Sequence, residues 1–153
     1  MFTMIKRVCL LSLCFLSLAT LSHASGEAKL PAPAVKLLTD KTAYSSGEPV
    51  KMTMIVINQS RADANLLFGS GQSYDVMVTG KSHKLVWHWS HNKVFTMAVR
   101  NVKIPAGQNI RYEIAWPQRD DRGRPVKPGK YFIRGRLTSA LQLDSPDRTV
   151  IIK

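Results

Sequence analysis

After Cys14 the chain contains no cysteine. Both cysteines, Cys9 and Cys14, fall within the first 24 residues. Without that segment the protein can form no disulfide, thiolate metal site or cysteine nucleophile. It must then stand on its core, and a chain of this size buries roughly two thirds of its unfolded surface as one domain. Long apolar runs are equally scarce. The only one, residues 8–21, is shorter than the roughly 20 apolar residues a bilayer span needs. Acidic residues are few, with 10 Asp and Glu against 22 Lys and Arg, a net charge of +12. Familiar catalytic signatures are missing too: no Gly-x-Ser-x-Gly elbow, no phosphate-cradling loop and no His-Glu-x-x-His helix. These absences argue against an enzyme and against a cofactor.

The one apolar run follows Lys6 and Arg7 and ends in Ser22-His23-Ala24. A positive start, a short apolar stretch and small residues at −3 and −1 are the layout of a secretory signal peptide. The expected cut lies between Ala24 and Ser25. A lipoprotein leader does not fit, because Cys14 follows Leu13 where a small residue is needed. The chain divides on this reading into a signal peptide at 1–24, a flexible lead-in at 25–34 and one domain at 35–153, exported to the periplasm or beyond. No membrane span is left after cleavage. The +10 that remains without Lys6 and Arg7 favours acidic partners. The cations are dispersed, however, with no basic helix or RNA-binding signature. Nucleic acid is not an expected partner.

Past the lead-in, no segment of helical length carries apolar residues at helical spacing. Short β-branched and aromatic runs recur between turn residues instead, at 35–38, 50–58, 65–68, 74–78, 85–90, 94–104, 110–116, 131–137 and 149–153. Val50, Met52, Met54, Val56 and Asn58 share one face. Ile55 and Ile57 make the other face apolar as well, the mark of a central strand. Ile110, Tyr112, Ile114 and Trp116 form another inward row, as do Tyr131, Ile133, Gly135 and Leu137. Strands at this spacing, about eight or nine in number, predict an all-β, antiparallel sandwich.

Candidate chemistry is thin. His88 and His91 lie three apart, with His83 nearby, but residues three apart on a strand point to opposite faces. Both could reach one ion only if a turn begins at Ser90, and no carboxylate is close in sequence, so no metal site is expected. Asp120 and Asp121 sit among Arg119, Arg122 and Arg124, which would hold both carboxylates ionised, the wrong state for a general acid. Asn58-Gln59-Ser60 matches a glycosylation sequon and reads equally as a strand end and turn. Trp87, Trp89, Phe95, Tyr112 and Trp116 read as core. Residues 118–130 form a long loop with two prolines and five cations, and long loops on a rigid scaffold commonly carry binding. Arg119, Arg122, Arg124 and Lys127 are the candidate partner-binding residues.

An ordered set of motifs resembles a known family. It comprises Phe68-Gly69-Ser70-Gly71-Gln72-Ser73-Tyr74-Asp75, then Val86-Trp87-His88-Trp89-Ser90 with Phe95. Ile104-Pro105-Ala106-Gly107 with Trp116 follows, and then Val126-Lys127-Pro128-Gly129-Lys130-Tyr131. In order and spacing these resemble the bacterial intracellular proteinase inhibitor (BsuPI) family from about residue 50 to 137. The resemblance implies an immunoglobulin-like β-sandwich and inhibition of a serine protease by direct binding. The founding inhibitor acts inside the cell, so an export leader points to a different target. The expectation is an exported inhibitor-like domain binding a protein partner through loops at 69–73, 90–94 and 118–130. The alternative is a non-inhibitory envelope module that binds a protein or a polyanionic surface.

Overall fold

The computed structural model describes residues 33–153. The leader, its cut between Ala24 and Ser25, and the lead-in up to residue 32 lie outside the described residues. Ten strands follow in order: β1 (Ala34–Thr39), β2 (Ala43–Tyr44), β3 (Val50–Ile57), β4 (Ala64–Phe68), β5 (Tyr74–Thr79), β6 (Leu85–His88), β7 (Arg100–Ile104), β8 (Asn109–Trp116), β9 (Gly129–Leu137) and β10 (Arg148–Ile152). One sheet runs β1-β3-β8, a second runs β2-β10-β9-β5-β6, and β4 pairs with β7 in a small ladder. Every pairing is antiparallel except that of β2 with β10. Two such sheets, the larger widened by an extra edge strand, make an immunoglobulin-like sandwich. Among the described residues no helix is long and apolar enough to cross a membrane.

The alternating rows become the core. Val50, Met52, Met54 and Val56 of β3 are each at most 2% exposed and face Ile133, Leu137, Val76 and Val78 of the other sheet within one cluster. β3 lies between β1 and β8, as its two apolar faces require. Its outward Ile55 is buried between Lys36 and Arg111 of its neighbours, whose aliphatic stems can cover it. Gly135 of β9 sets the approach of the sheets. A Cβ there would sit 2.8 Å from Met54 Sδ and 3.5 Å from Leu37 Cδ1, so a larger residue would wedge the layers apart. Trp116 closes one end, fully buried, with its ring edge-on to Tyr131 at 5.3 Å.

Two elements differ from the sequence reading. β2 is a two-residue strand, too short to show any alternation. It forms because Tyr44 is buried and its hydroxyl donates to Asp40 Oδ1 at 2.6 Å. The expected strand at 94–104 is only Arg100–Ile104. Its partner β4 ends at Phe68, paired with Arg100, where Gly69 turns the chain away. Residues 93–99 therefore have no ladder to join, and Val94, Met97 and Val99 stand in solvent.

Asn58 ends β3 inside the protein. It is fully buried, and its amide donates to the carbonyls of Ala62, Ile104 and Pro105 at 2.8, 2.9 and 3.2 Å. Its Oδ1 accepts from the Ser60 amide and hydroxyl. An amide so engaged is closed to a glycan in the folded domain. The strand-end-and-turn reading of the sequon is the correct one.

Candidate functional site

The loop at 118–130 is a hairpin-like structure rather than a loose cationic coil. Gln118 holds its base. The residue adopts a left-handed backbone, φ 54°, which costs a non-glycine residue about 1–2 kcal/mol. The buried side-chain amide offsets this by accepting from Gly47 N at 2.8 Å and donating to the carbonyls of Ser45 and Glu48. Trp116 Nε1 donates to the Arg119 carbonyl at 2.9 Å, and Arg119 bridges to Pro125. At the tip, Asp120 Oδ1 accepts from the amides of Arg122 and Arg124, and Oδ2 meets the Arg124 guanidinium at 2.7–2.8 Å. The Arg124 hydrogen bond, then the backbone amides, hold the Asp120 carboxyl below its ordinary range.

This structure sorts the four candidate cations. Arg124 is paired with Asp120, and Arg119 donates to the Gly123 carbonyl at 2.7 Å. Arg122 and Lys127 are exposed, and neither side chain has a hydrogen-bond or ion-pair partner among the described residues. They are the two cations left to meet a partner.

Asp121 points the other way, onto the edge strand β6. Its amide donates to the Val86 carbonyl at 3.0 Å, and its Oδ1 accepts from the His88 amide at 3.0 Å. Its Oδ2 lies 2.8 Å from His88 Nδ1 and 3.9 Å from His91 Nδ1. On an unbroken strand the two histidines would point to opposite faces, and the turn that could bring them together is present. β6 stops at His88, and a turn closed by His91 N on the His88 carbonyl (3.1 Å) swings His91 back beside His88. The rings meet edge to face at 5.2 Å. His83 is elsewhere, stacked on Phe132.

From the same turn the chain enters residues 93–99. Val94 is 99% exposed, Met97 90% and Val99 71%. The base of this segment is fastened. Phe95 packs on Trp89 at 6.0 Å, and Trp89 on Tyr74, which also meets Tyr112 of the opposite sheet. Burial raises the phenol pKa of both Tyr74 and Tyr112. Lys93 Nζ lies over the Trp89 ring at 4.5 Å. The Thr96 carbonyl accepts from Gly71 N at 2.8 Å, and a Cβ on Gly71 would strike Thr96. Arg100 donates to the carbonyls of Ser70 and Gly71 and to Ser73 Oγ. The loop at 69–73 thus meets the chain at Thr96 and Arg100, just beyond the loop at 90–94. The loop at 118–130 reaches the same edge through Asp121, and Asn92 and His91 share an open groove with Arg119 and Arg122. Of the aromatics read as core, Trp116 is fully buried. Trp87, Trp89 and Tyr112 are half-buried against the core, and Phe95 sits at its margin.

No curated protein matches the sequence. Among solved structures, a β-glucosidase from Erythrobacter marinus aligns with TM-score 0.46 and 9% identity over 79% of this chain, which spans 16% of that enzyme. A CARDB domain from Pyrococcus furiosus in complex with di-metal ions aligns with TM-score 0.46 and 12% identity, over 80% of this chain and 94% of that domain. The sporulation control protein Spo0M from Bacillus subtilis gives TM-score 0.47 and 13% identity over 81% and 50% of the two chains. Similarity this distant carries no activity across. The family comparison is more specific, since the model of the intracellular proteinase inhibitor, BsuPI, matches residues 37–141, more than half of the chain. The order of motifs, the sandwich and this match agree, and the chain belongs to the intracellular proteinase inhibitor (BsuPI) family.

Proposed function

We propose that this domain is an exported, inhibitor-like binding module that engages a serine protease through residues 93–99. The observation that carries the reading is the exposure of Val94, Met97 and Val99 on an unpaired segment whose base is fastened to the sandwich. A run of exposed apolar side chains is costly unless something covers it. Proteases take their substrates as extended chains, with backbone hydrogen bonds and alternate side chains in pockets, and an open segment satisfies that mode. Fastening at Phe95, Thr96 and Arg100 reduces the entropy lost on docking. Arg122, across the groove from Asn92, would meet an acidic rim on the partner. The leader at 1–24 supports action outside the cytoplasm, where the target protease would also lie.

The test is inhibition of subtilisin-like and trypsin-like enzymes by the chain beginning at Ser25. Met97→Asp should raise the inhibition constant at least about tenfold, the loss expected of an interface anchor. Because Met97 is exposed, its urea midpoint should not move. Absence of inhibition at micromolar protein against both enzyme types, or inhibition indifferent to Met97→Asp, would end the proposal. Capture of a polyanionic envelope component that is lost in Arg122→Glu and Lys127→Glu would instead support the non-inhibitory reading. Export is checked separately, by finding Ser25 at the N-terminus of protein recovered outside the cytoplasm.

A further inference from the structure

We propose that His88, His91 and Asp121 form a binding site for a divalent transition-metal ion, with zinc as the best match. The three side chains come from two segments at least thirty residues apart, yet one ligand atom from each lies within 4.8 Å of the others. Two imidazoles and one carboxylate are a donor set of the borderline character that suits zinc and its neighbours, not magnesium or calcium.

The geometry is close to what such an ion demands. Zinc binds imidazole nitrogen and carboxylate oxygen at roughly 2.0–2.2 Å, so tetrahedral ligands stand roughly 3.3 Å apart. Asp121 Oδ2 lies 2.8 Å from one Nδ1 and 3.9 Å from the other, distances that bracket this value. Small side-chain rotations would equalise them. Both imidazoles present the same ring atom, Nδ1, to the same oxygen. The remaining carboxylate oxygen, Oδ1, is held by the His88 backbone amide at 3.0 Å. That bond leaves Oδ2 for an ion and keeps the carboxylate oriented, the role that outer-shell hydrogen bonds play in metal sites.

Access and charge are also compatible. The side chains of His88, His91 and Asp121 are 29, 35 and 21% exposed, open enough for an ion to enter and covered enough to hold it. Three neighbouring cations are engaged elsewhere, while Arg122, next to Asp121 in the chain, is exposed and has no side-chain partner among the described residues. Lys93 lies over Trp89, Arg124 pairs with Asp120, and Arg119 bonds the Gly123 carbonyl. Three protein ligands leave a fourth position for water or for a partner's donor atom. Bound metal would staple the tip of the loop at 118–130 to the turn that leads into residues 93–99. The site does not depend on the protease reading, because binding is measured with the metal alone.

The experiment uses the chain from Ser25 without a polyhistidine tag, stripped with chelator and titrated with zinc and with cobalt(II). The proposal expects one ion per chain, the visible absorption of a tetrahedral cobalt site, and a rise in melting temperature that chelator reverses. His91→Gln and Asp121→Asn should each weaken binding at least about tenfold, the scale of losses at metal-site residues. Asparagine keeps an acceptor for the His88 amide, and His91 is partly exposed, so both variants should fold with an unchanged metal-free melting temperature. His83→Gln should bind normally. Failure of the native chain to bind either ion would overturn the proposal, as would undiminished binding in both site variants, or an equal loss in His83→Gln.

Discussion

Replacing Asn58 by alanine tests whether a single buried amide holds the end of β3 to the turn before β8. Asn58 makes five side-chain hydrogen bonds, and they are not equal. The bond to the Ile104 carbonyl at 2.9 Å is buried, whereas those to Ala62, Pro105 and Ser60 lie partly in reach of water. Alanine would orphan the Ile104 carbonyl, a penalty of about 1–3 kcal/mol. The other groups can turn to solvent and lose only the net value of their bonds, about 0.5 kcal/mol each at the low end. Together these predict a loss of about 3–5 kcal/mol, a large share of the roughly 5–15 kcal/mol that holds a domain folded. The assay is urea unfolding, with a lowered midpoint and an unchanged slope. Asn58→Asp refines the test, since it sets a carboxylate oxygen against three carbonyls. Burial there would raise the carboxyl's pKa in the folded state. The variant should therefore regain stability as pH falls and lose it as pH rises through that value. A loss below about 1 kcal/mol for Asn58→Ala would refute the reasoning and show that water enters the site freely.

Further predictions follow from the same kind of bookkeeping. Gly135→Ala should cost about 1–3 kcal/mol through overpacking, because its Cβ would lie 2.8 Å from Met54 Sδ. The cost should shrink in a Met54→Ala background, as a double-mutant cycle in urea would read. The Arg136 guanidinium grips both oxygens of Asp144 at 2.7 and 2.8 Å and holds that carboxyl below its ordinary value of 3.8. Its contribution is present above that value and is lost as pH falls through the lower folded one, so Asp144→Asn should flatten the acid limb of the stability curve. Tyr44 is pushed up to about 12, first by burial and then by its bond to Asp40. Its neutral form is the folded form, so this contribution is complete below pH 10 and is lost as pH rises from about 10 toward 12. Tyr44→Phe should remove that alkaline loss in circular-dichroism melts.

Much of the scaffold was legible because burial and strand geometry impose a period of two. The row from Val50 to Val56 and the row from Tyr131 to Leu137 were read inward and lie inward. Even Asn58 was placed on the correct face. What it does there was not legible, since its acceptors at Ile104 and Pro105 are 46 and 47 residues away. Residues 94–99 have the composition of a strand but no partner, because strand formation depends on where β4 ends as much as on local preference. The approach of the two histidines depends on a fact of the same kind, since only the end of β6 at His88 decides whether a turn brings His91 back.

The amino-acid sequence by itself determined that this is an all-β sandwich, which side chains line its interior, and that the domain relies on no disulfide. These follow from local alternation and composition, which need no knowledge of distant contacts. Only the tertiary structure decided that residues 93–99 stand open, that Arg122 and Lys127 are the uncommitted two of the four candidate cations, and that Asp121 joins His88 and His91. Each of those depends on which strand ends beside which loop. That is set by packing across the sheets and cannot be read from neighbours along the chain.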